Sequence, residues 1–217
     1  MVKVTYYFEA FSSWCHWVEP AWAALKERYA ANATFDWKIA LMPPEVFPAS
    51  SRQADWFYQR SGTMMRSPYK LNSGWVEANA DYRAANLVAE AARDLGITDD
   101  RARLAVMHAA LREGRKVGRW PEAVAAVAGP LGLDAAALQA RAQSPEVLAR
   151  VEASTAEFHA MRITQRPAFL MENALGDRAI FSGVVRFEAL AAGLQALADD
   201  EAAAASFNAH FGQPPAA

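Results

Sequence analysis

Residues 12–16 read Ser-Ser-Trp-Cys-His. A hydroxyl at Ser12 and a thiol at Cys15 lie three residues apart, which brings them to the same side of a helix if one starts here. A helix start favours negative charge, because its first N–H groups are unpaired and its dipole points the right way. A thiol placed there ionises easily, but this chain puts a serine at the start and its thiol one turn further in. Read alone, Ser12 is an N-cap. Cys15 admits three roles: inert packing, since free cysteine is often buried; redox or mixed-disulfide chemistry; or a hydrogen bond to a substrate sulfur. His16 can supply positive charge to a neighbouring thiol, although a packing or surface histidine is its ordinary reading. Cys15 is the only cysteine, which excludes an intramolecular disulfide, a CxxC zinc knuckle and a thiolate iron–sulfur cage within one chain.

Few other constellations carry chemistry. His108, His159 and His210 are far apart with no HExxH or HxH spacing, so no metal site is expected. Neither GxGxxG nor GxxxxGK[ST] occurs. Residues 56–75, WFYQRSGTMMRSPYKLNSGW, combine aromatics and methionines with Arg66 and Lys70, and could wall an apolar pocket with a basic rim or simply pack in the core. The 22 basic residues against 24 acidic ones, a net charge of -2, give no footprint for nucleic acid or an anionic membrane. No apolar run is long enough to span a bilayer. MVKVTYYF at the start lacks the marks of a signal peptide, so a cytoplasmic location is expected.

These residues need elements to hold them. Residues 2–8 have the Val, Tyr and Thr content of a buried strand. From Ser12 the apolar spacing becomes three and four, through Trp14, Val18, Ala21, Trp22 and Leu25, which predicts a helix with Pro20 inside it. A second strand is expected over 34–41, stopped by Pro43 and Pro44. Residues 45–73 read as an irregular connection, and 78–162 as a helical insertion with helices over 79–95, 101–112, 121–129, 134–142 and 145–161. Strands over 168–171 and 178–181 follow, then a helix over 187–197 and a frayed tail from 212. The 217 residues, 53% hydrophobic, suit one large domain or a domain with an insert: here 1–44 with 163–217, interrupted by 45–162.

This order, together with FSSWCHW (11–17), GLDAAAL (132–138), ITQRPAF (163–169) and FSGVVRFEAL (181–190), resembles the DsbA family. Its relatives include 2-hydroxychromene-2-carboxylate isomerases and kappa-class glutathione transferases. The resemblance implies an α/β thioredoxin-like fold with an α-helical insertion. It also implies a site built from Ser12 and Cys15 as catalytic residues, flanked by Ser13, Trp14, His16, Arg166, Pro167 and Ser182 as substrate-binding residues. Dithiol members begin the helix with CxxC; here SxxC stands in that frame. In the glutathione-using relatives a serine at this position resembles a hydroxyl donor to the thiolate of bound glutathione. The proline opening the third strand is implied to be cis, presenting the backbone of Arg166 to an extended thiol peptide. Arg166 departs from the small or β-branched residue usual there, and is a candidate partner for a substrate carboxylate or a plain surface arginine.

Val184 and Val185 stand where glutathione-using relatives carry a polar and then an acidic residue for the γ-glutamyl ammonium. That substitution leaves the ammonium without a counter-charge. The expected function is therefore a DsbA-family thiol-dependent oxidoreductase acting on a small thiol or an extended thiol peptide. A glutathione-dependent isomerase or transferase of a small aromatic acid, and a non-catalytic peptide-binding module, are the alternatives. No cofactor is required by this reading, glutathione is compatible with it, and so is a homodimer.

Overall fold

The computed structural model describes residues 1–78 and 80–212. A four-stranded sheet in the order β2-β1-β3-β4 carries the site. β1 (Val2–Phe8) pairs in parallel with β2 (Ala33–Ile39) through the helix α1 (Ser13–Tyr29), in register Val2 to Ala33 and Phe8 to Ile39. β3 (Ala168–Glu172) lies antiparallel to β1, with Tyr7 opposite Ala168, and β4 (Arg178–Ser182) antiparallel to β3. β1 is central, and every residue in it except Lys3 is buried, the near-continuous apolar pattern of a strand covered on both faces. Val4, Tyr6 and Phe8 belong to the main core, while Tyr7 packs with Ala40, Phe158 and Ala168 on the opposite face.

Between β2 and β3 run α2 (Ser51–Met64), α3 (Arg83–Asp94), α4 (Arg101–Leu111), α5 (Trp120–Leu131), α6 (Ala135–Ala142) and α7 (Pro145–Ala160). Asp134 and Ser144 cap α6 and α7 as their side chains predict. Gly132, at φ 65°, ends α5 in the left-handed conformation that glycine adopts without strain. α8 (Phe187–Phe211) closes the chain. Among the described residues no helix is long and apolar enough to cross a membrane.

Four expectations need correction. Residues 45–73 are not irregular: α2 occupies fourteen of them, capped by Ser50. Its buried stripe, Ala54, Tyr58, Ser61 and Gly62, is too narrow and polar to stand out, and its large apolar residues Trp56 and Met64 face outward. α3 begins at Arg83, because Tyr82 leaves the helical stripe to stack on Phe47, with centroids 4.4 Å apart; the start expected at Asn79 lies outside the described residues. α5 continues past Gly129 through Pro130 to Leu131. α8 runs fourteen residues beyond Leu197, on a polar, alanine-rich sequence whose buried positions end at Leu197. Of the tail expected to fray, 213–217 lie outside the described residues.

Two buried polar clusters tie α1 to the inserted helices. Arg103 on α4 is fully buried; its Nη1 and Nη2 bond both oxygens of Glu19 on α1 (2.5 and 3.0 Å), and its Nε donates to Asp100 (2.9 Å). Asp100 also accepts from Trp22 Nε1 (3.1 Å) and from Lys26 of α1. The second cluster lies just before α1. Glu9, fully buried, accepts from Phe11 N (2.8 Å) and from Asn86 Nδ2 of α3 (2.7 Å), while Asn86 Oδ1 accepts from Ala10 N (3.1 Å). Burial pushes the Glu9 carboxyl up to about 7, against these hydrogen bonds and the charge of Arg166.

Removing one partner of a buried pair strands the other, so Arg103→Ala is expected to cost about 3–5 kcal/mol in urea unfolding. For Glu9 the native state holds its proton more tightly than the unfolded chain. Stability due to this group is complete below the ordinary value of 4.5 and is lost as pH rises toward about 7, by an amount on the order of 3 kcal/mol. Urea titrations across that window are expected to show the decline, and Glu9→Gln to flatten it.

Candidate functional site at the start of the first helix

Ser12 is the N-cap of α1, with extended backbone (φ -77°, ψ 114°), and its Oγ accepts from Cys15 N at 3.3 Å. Its own N–H donates to Glu9 O (3.1 Å), so the Glu9–Asn86 cluster fixes where the cap stands. Capping uses a lone pair of the hydroxyl and leaves its proton free to donate. The cap and hydroxyl-donor readings are therefore compatible in one side chain. Ser13 N and Trp14 N have no acceptor among the described residues, as expected for a first turn.

These groups border a cleft of ≈ 550 Å³. Ser12, Ser13 and Trp14 form one side of it and Gln165 and Arg166 another. Its remaining wall is largely apolar, with Phe11, Met42, Phe57 and Trp75 among its members, and Arg60 and His159 are the other basic side chains on it. No carboxylate is part of the wall.

Cys15 is 0% exposed and does not reach this cleft. Burial pushes its thiol up to about 11, against the opposing pull of Ser12, so at neutral pH it is a protonated, sealed thiol. Tyr6 Oη lies 3.2 Å from both Cys15 O and Glu19 Oε1, binding this turn to the Arg103 cluster.

Of the expected substrate-binding residues, Ser13, Trp14 and Arg166 line the cleft, and His16, Pro167 and Ser182 do not. His16 is buried away from the cleft, with Nε2 3.0 Å from Tyr69 Oη and its ring against Trp17 and His108. Burial, with His108 and Arg112 nearby, holds it down at about 4, so it supplies no positive charge to a thiol at neutral pH. Arg166 is neither at the surface nor free for a carboxylate. Its Nε donates to Ala40 O, Nη2 to Leu41 O (2.6 Å) and Nη1 to Thr164 O (3.3 Å), with the guanidinium 4.3 Å from the Phe158 ring centroid. Ser182 is not part of the cleft wall; its hydroxyl donates to Gln165 O (3.3 Å).

The Arg166–Pro167 bond is cis. Pro167 O accepts from Gly183 N (2.8 Å), whereas the N–H and C=O of Arg166 have no partner among the described residues. Val184 and Val185 are half-buried against the core. Sequence reasoning missed Glu9, Met42 and His159. Glu9, three residues before Ser12, was readable only as a loop residue, and the other two are joined to the site by the fold alone.

Residues 3–195 match the family described as DSBA-like thioredoxin domain. A protein from Nitrosomonas europaea assigned as a protein disulfide isomerase superposes with a TM-score of 0.74 at 18% identity, over 92% of this chain and 98% of that one. The cytosolic disulfide reductase DsbM from Pseudomonas aeruginosa gives 0.68 at 17%, over 96% and 99%. DsbA from Pseudomonas aeruginosa gives 0.63 at 16%, over 94% and 86%. A search of curated proteins finds no match. With the family match spanning nearly the whole chain and the same α/β architecture behind it, this protein belongs to the DsbA-like family of the thioredoxin-like superfamily.

Proposed function

We propose that this protein is a thiol-dependent oxidoreductase whose reacting sulfur belongs to a bound small thiol and not to its own cysteine. One observation carries the reading: Ser12, whose Oγ caps α1 with a lone pair, borders the cleft, while Cys15 is sealed and protonated behind it. A thiol entering the cleft loses its proton to solvent. Its thiolate then accepts from Ser12 Oγ and from the unpaired first-turn N–H groups, which favour the charged form. That thiolate attacks one sulfur of a disulfide; the S–S bond breaks, a mixed disulfide forms, and the second sulfur leaves as a thiolate that takes a proton from solvent. The bound thiol is oxidised and the disulfide reduced. The unpaired backbone N–H and C=O of Arg166 support a second substrate form, an extended thiol peptide received as a short added strand.

Glutathione is the first thiol to try. Val184 and Val185 offer its ammonium no counter-charge, and that loss outweighs one hydroxyl hydrogen bond. Calorimetry is expected to give a dissociation constant of millimolar order, roughly -4 kcal/mol, tightened by Val185→Asp. A micromolar value in the unaltered chain would instead favour the glutathione-dependent isomerase or transferase.

The two halves of the SxxC motif are expected to behave oppositely. Ser12→Ala is expected to lower thiol–disulfide exchange about tenfold or more, the equivalent of one hydrogen bond to a charged group, and Cys15→Ala to leave it nearly unchanged. The reverse order would show Cys15 to be the working thiol. In the native state iodoacetamide is expected to label Cys15 about 100-fold more slowly than a free thiol on thiolate fraction alone, and at the ordinary rate in denaturant.

A further inference from the structure

A second pocket, ≈ 380 Å³ in volume, lies beside the Ser12 cleft. The two share Met42, Pro43 and His159 in their walls, so they are adjacent. Leu41, Phe47 and Tyr82 line the far compartment, where the stacked rings of Phe47 and Tyr82 belong to its wall. Its polar side chains other than His159 are committed within the chain. Thr155 Oγ1 donates to Val151 O (2.7 Å) and accepts from Leu41 N (3.1 Å), and Arg83 Nε pairs with Asp81 (3.0 Å). Tyr82 Oη donates to Glu77 O (3.0 Å). A charged ligand group would find no unpaired opposite charge here and would lose its hydration. A flat apolar ring would be buried against aromatic and aliphatic surface, in a volume within the range of small-molecule sites.

We infer that this pocket binds an uncharged aromatic group of the second substrate, a disulfide carrying an aryl substituent, while the reacting sulfur extends into the Ser12 cleft. His159 stands in the shared wall and is exposed. It is placed to hydrogen-bond a polar atom between the ring and the reacting sulfur. The bound thiolate attacks the sulfur of the aryl-bearing half, a new S–S bond forms between them as the old one breaks, and the other sulfur leaves as a thiolate that takes a proton from solvent, with no further oxidant or reductant needed. The sulfur end of this inference rests on the function proposed above; the aromatic end does not.

The experiment is photolabelling of the unmodified full chain with benzophenone, an uncharged aromatic probe, with the labelled peptides identified by mass spectrometry. Saturable labelling of residues 41–47 and 80–83 is expected, reduced about tenfold or more by Leu41→Trp, which fills the pocket. Label confined to 56–60, where Trp56 is exposed, or label that does not saturate, overturns the inference. Should Leu41→Trp fail to fold, the map on the unmodified chain decides alone. Labelling requires no thiol, so a failure of the sulfur chemistry, seen as an unchanged Ser12→Ala exchange rate, is read separately.

Discussion

The hydrogen bond from Cys15 N to Ser12 Oγ organises the site, because it settles which atoms of the SxxC motif face the cleft. A serine at this cap can accept from the helix and still donate outward. A cysteine one turn inside, packed beneath Tyr6 and the core, has neither solvent to stabilise its thiolate nor a path to a substrate. Burial outweighs every favourable contact around Cys15, which is why its thiol moves up and not down.

The cap depends in turn on the inserted helices. Glu9 holds the turn before α1 through Phe11 N and reaches α3 through Asn86, while Glu19 and Arg103 fasten the middle of α1 to α4. Buried polar clusters of this kind contribute little net stability when complete, but they are costly to break and they define one arrangement. The insertion therefore does more than cover the sheet: Asn86 fixes the turn that leads to Ser12, and Arg103 fixes the middle of the helix that Ser12 caps.

Arg166 shows how a local need can take up a residue that looks functional. Beyond Ile39 the chain leaves the sheet toward Pro43 and Pro44, so the carbonyls of Ala40 and Leu41 have no neighbouring strand to pair with. A buried carbonyl requires a donor, and the Arg166 guanidinium supplies it to both while lying over Phe158. The side chain is thereby spent on structure, and the residue faces the site through its backbone.

What the amino-acid order determined by itself was whatever short-range pattern controls. The Val, Tyr and Thr content of Val2–Phe8, the three-and-four spacing of Trp14, Val18, Trp22 and Leu25, the caps at Ser12, Asp134 and Ser144, and the order of elements that marks the family all depend on neighbours a turn or two away. α2 was not legible, since its buried face is only four small or polar-tipped residues wide. The ionisation of Cys15, His16 and Glu9, the backbone carbonyls to which Arg166 and Ser182 donate, and the wall residues that the Ser12 cleft shares with the Phe47–Tyr82 pocket were decided only by tertiary structure. Each depends on desolvation or on a partner that is remote in sequence, as Asn86 is from Glu9 and Ala40 from Arg166, and neither burial nor remote pairing is written in local spacing.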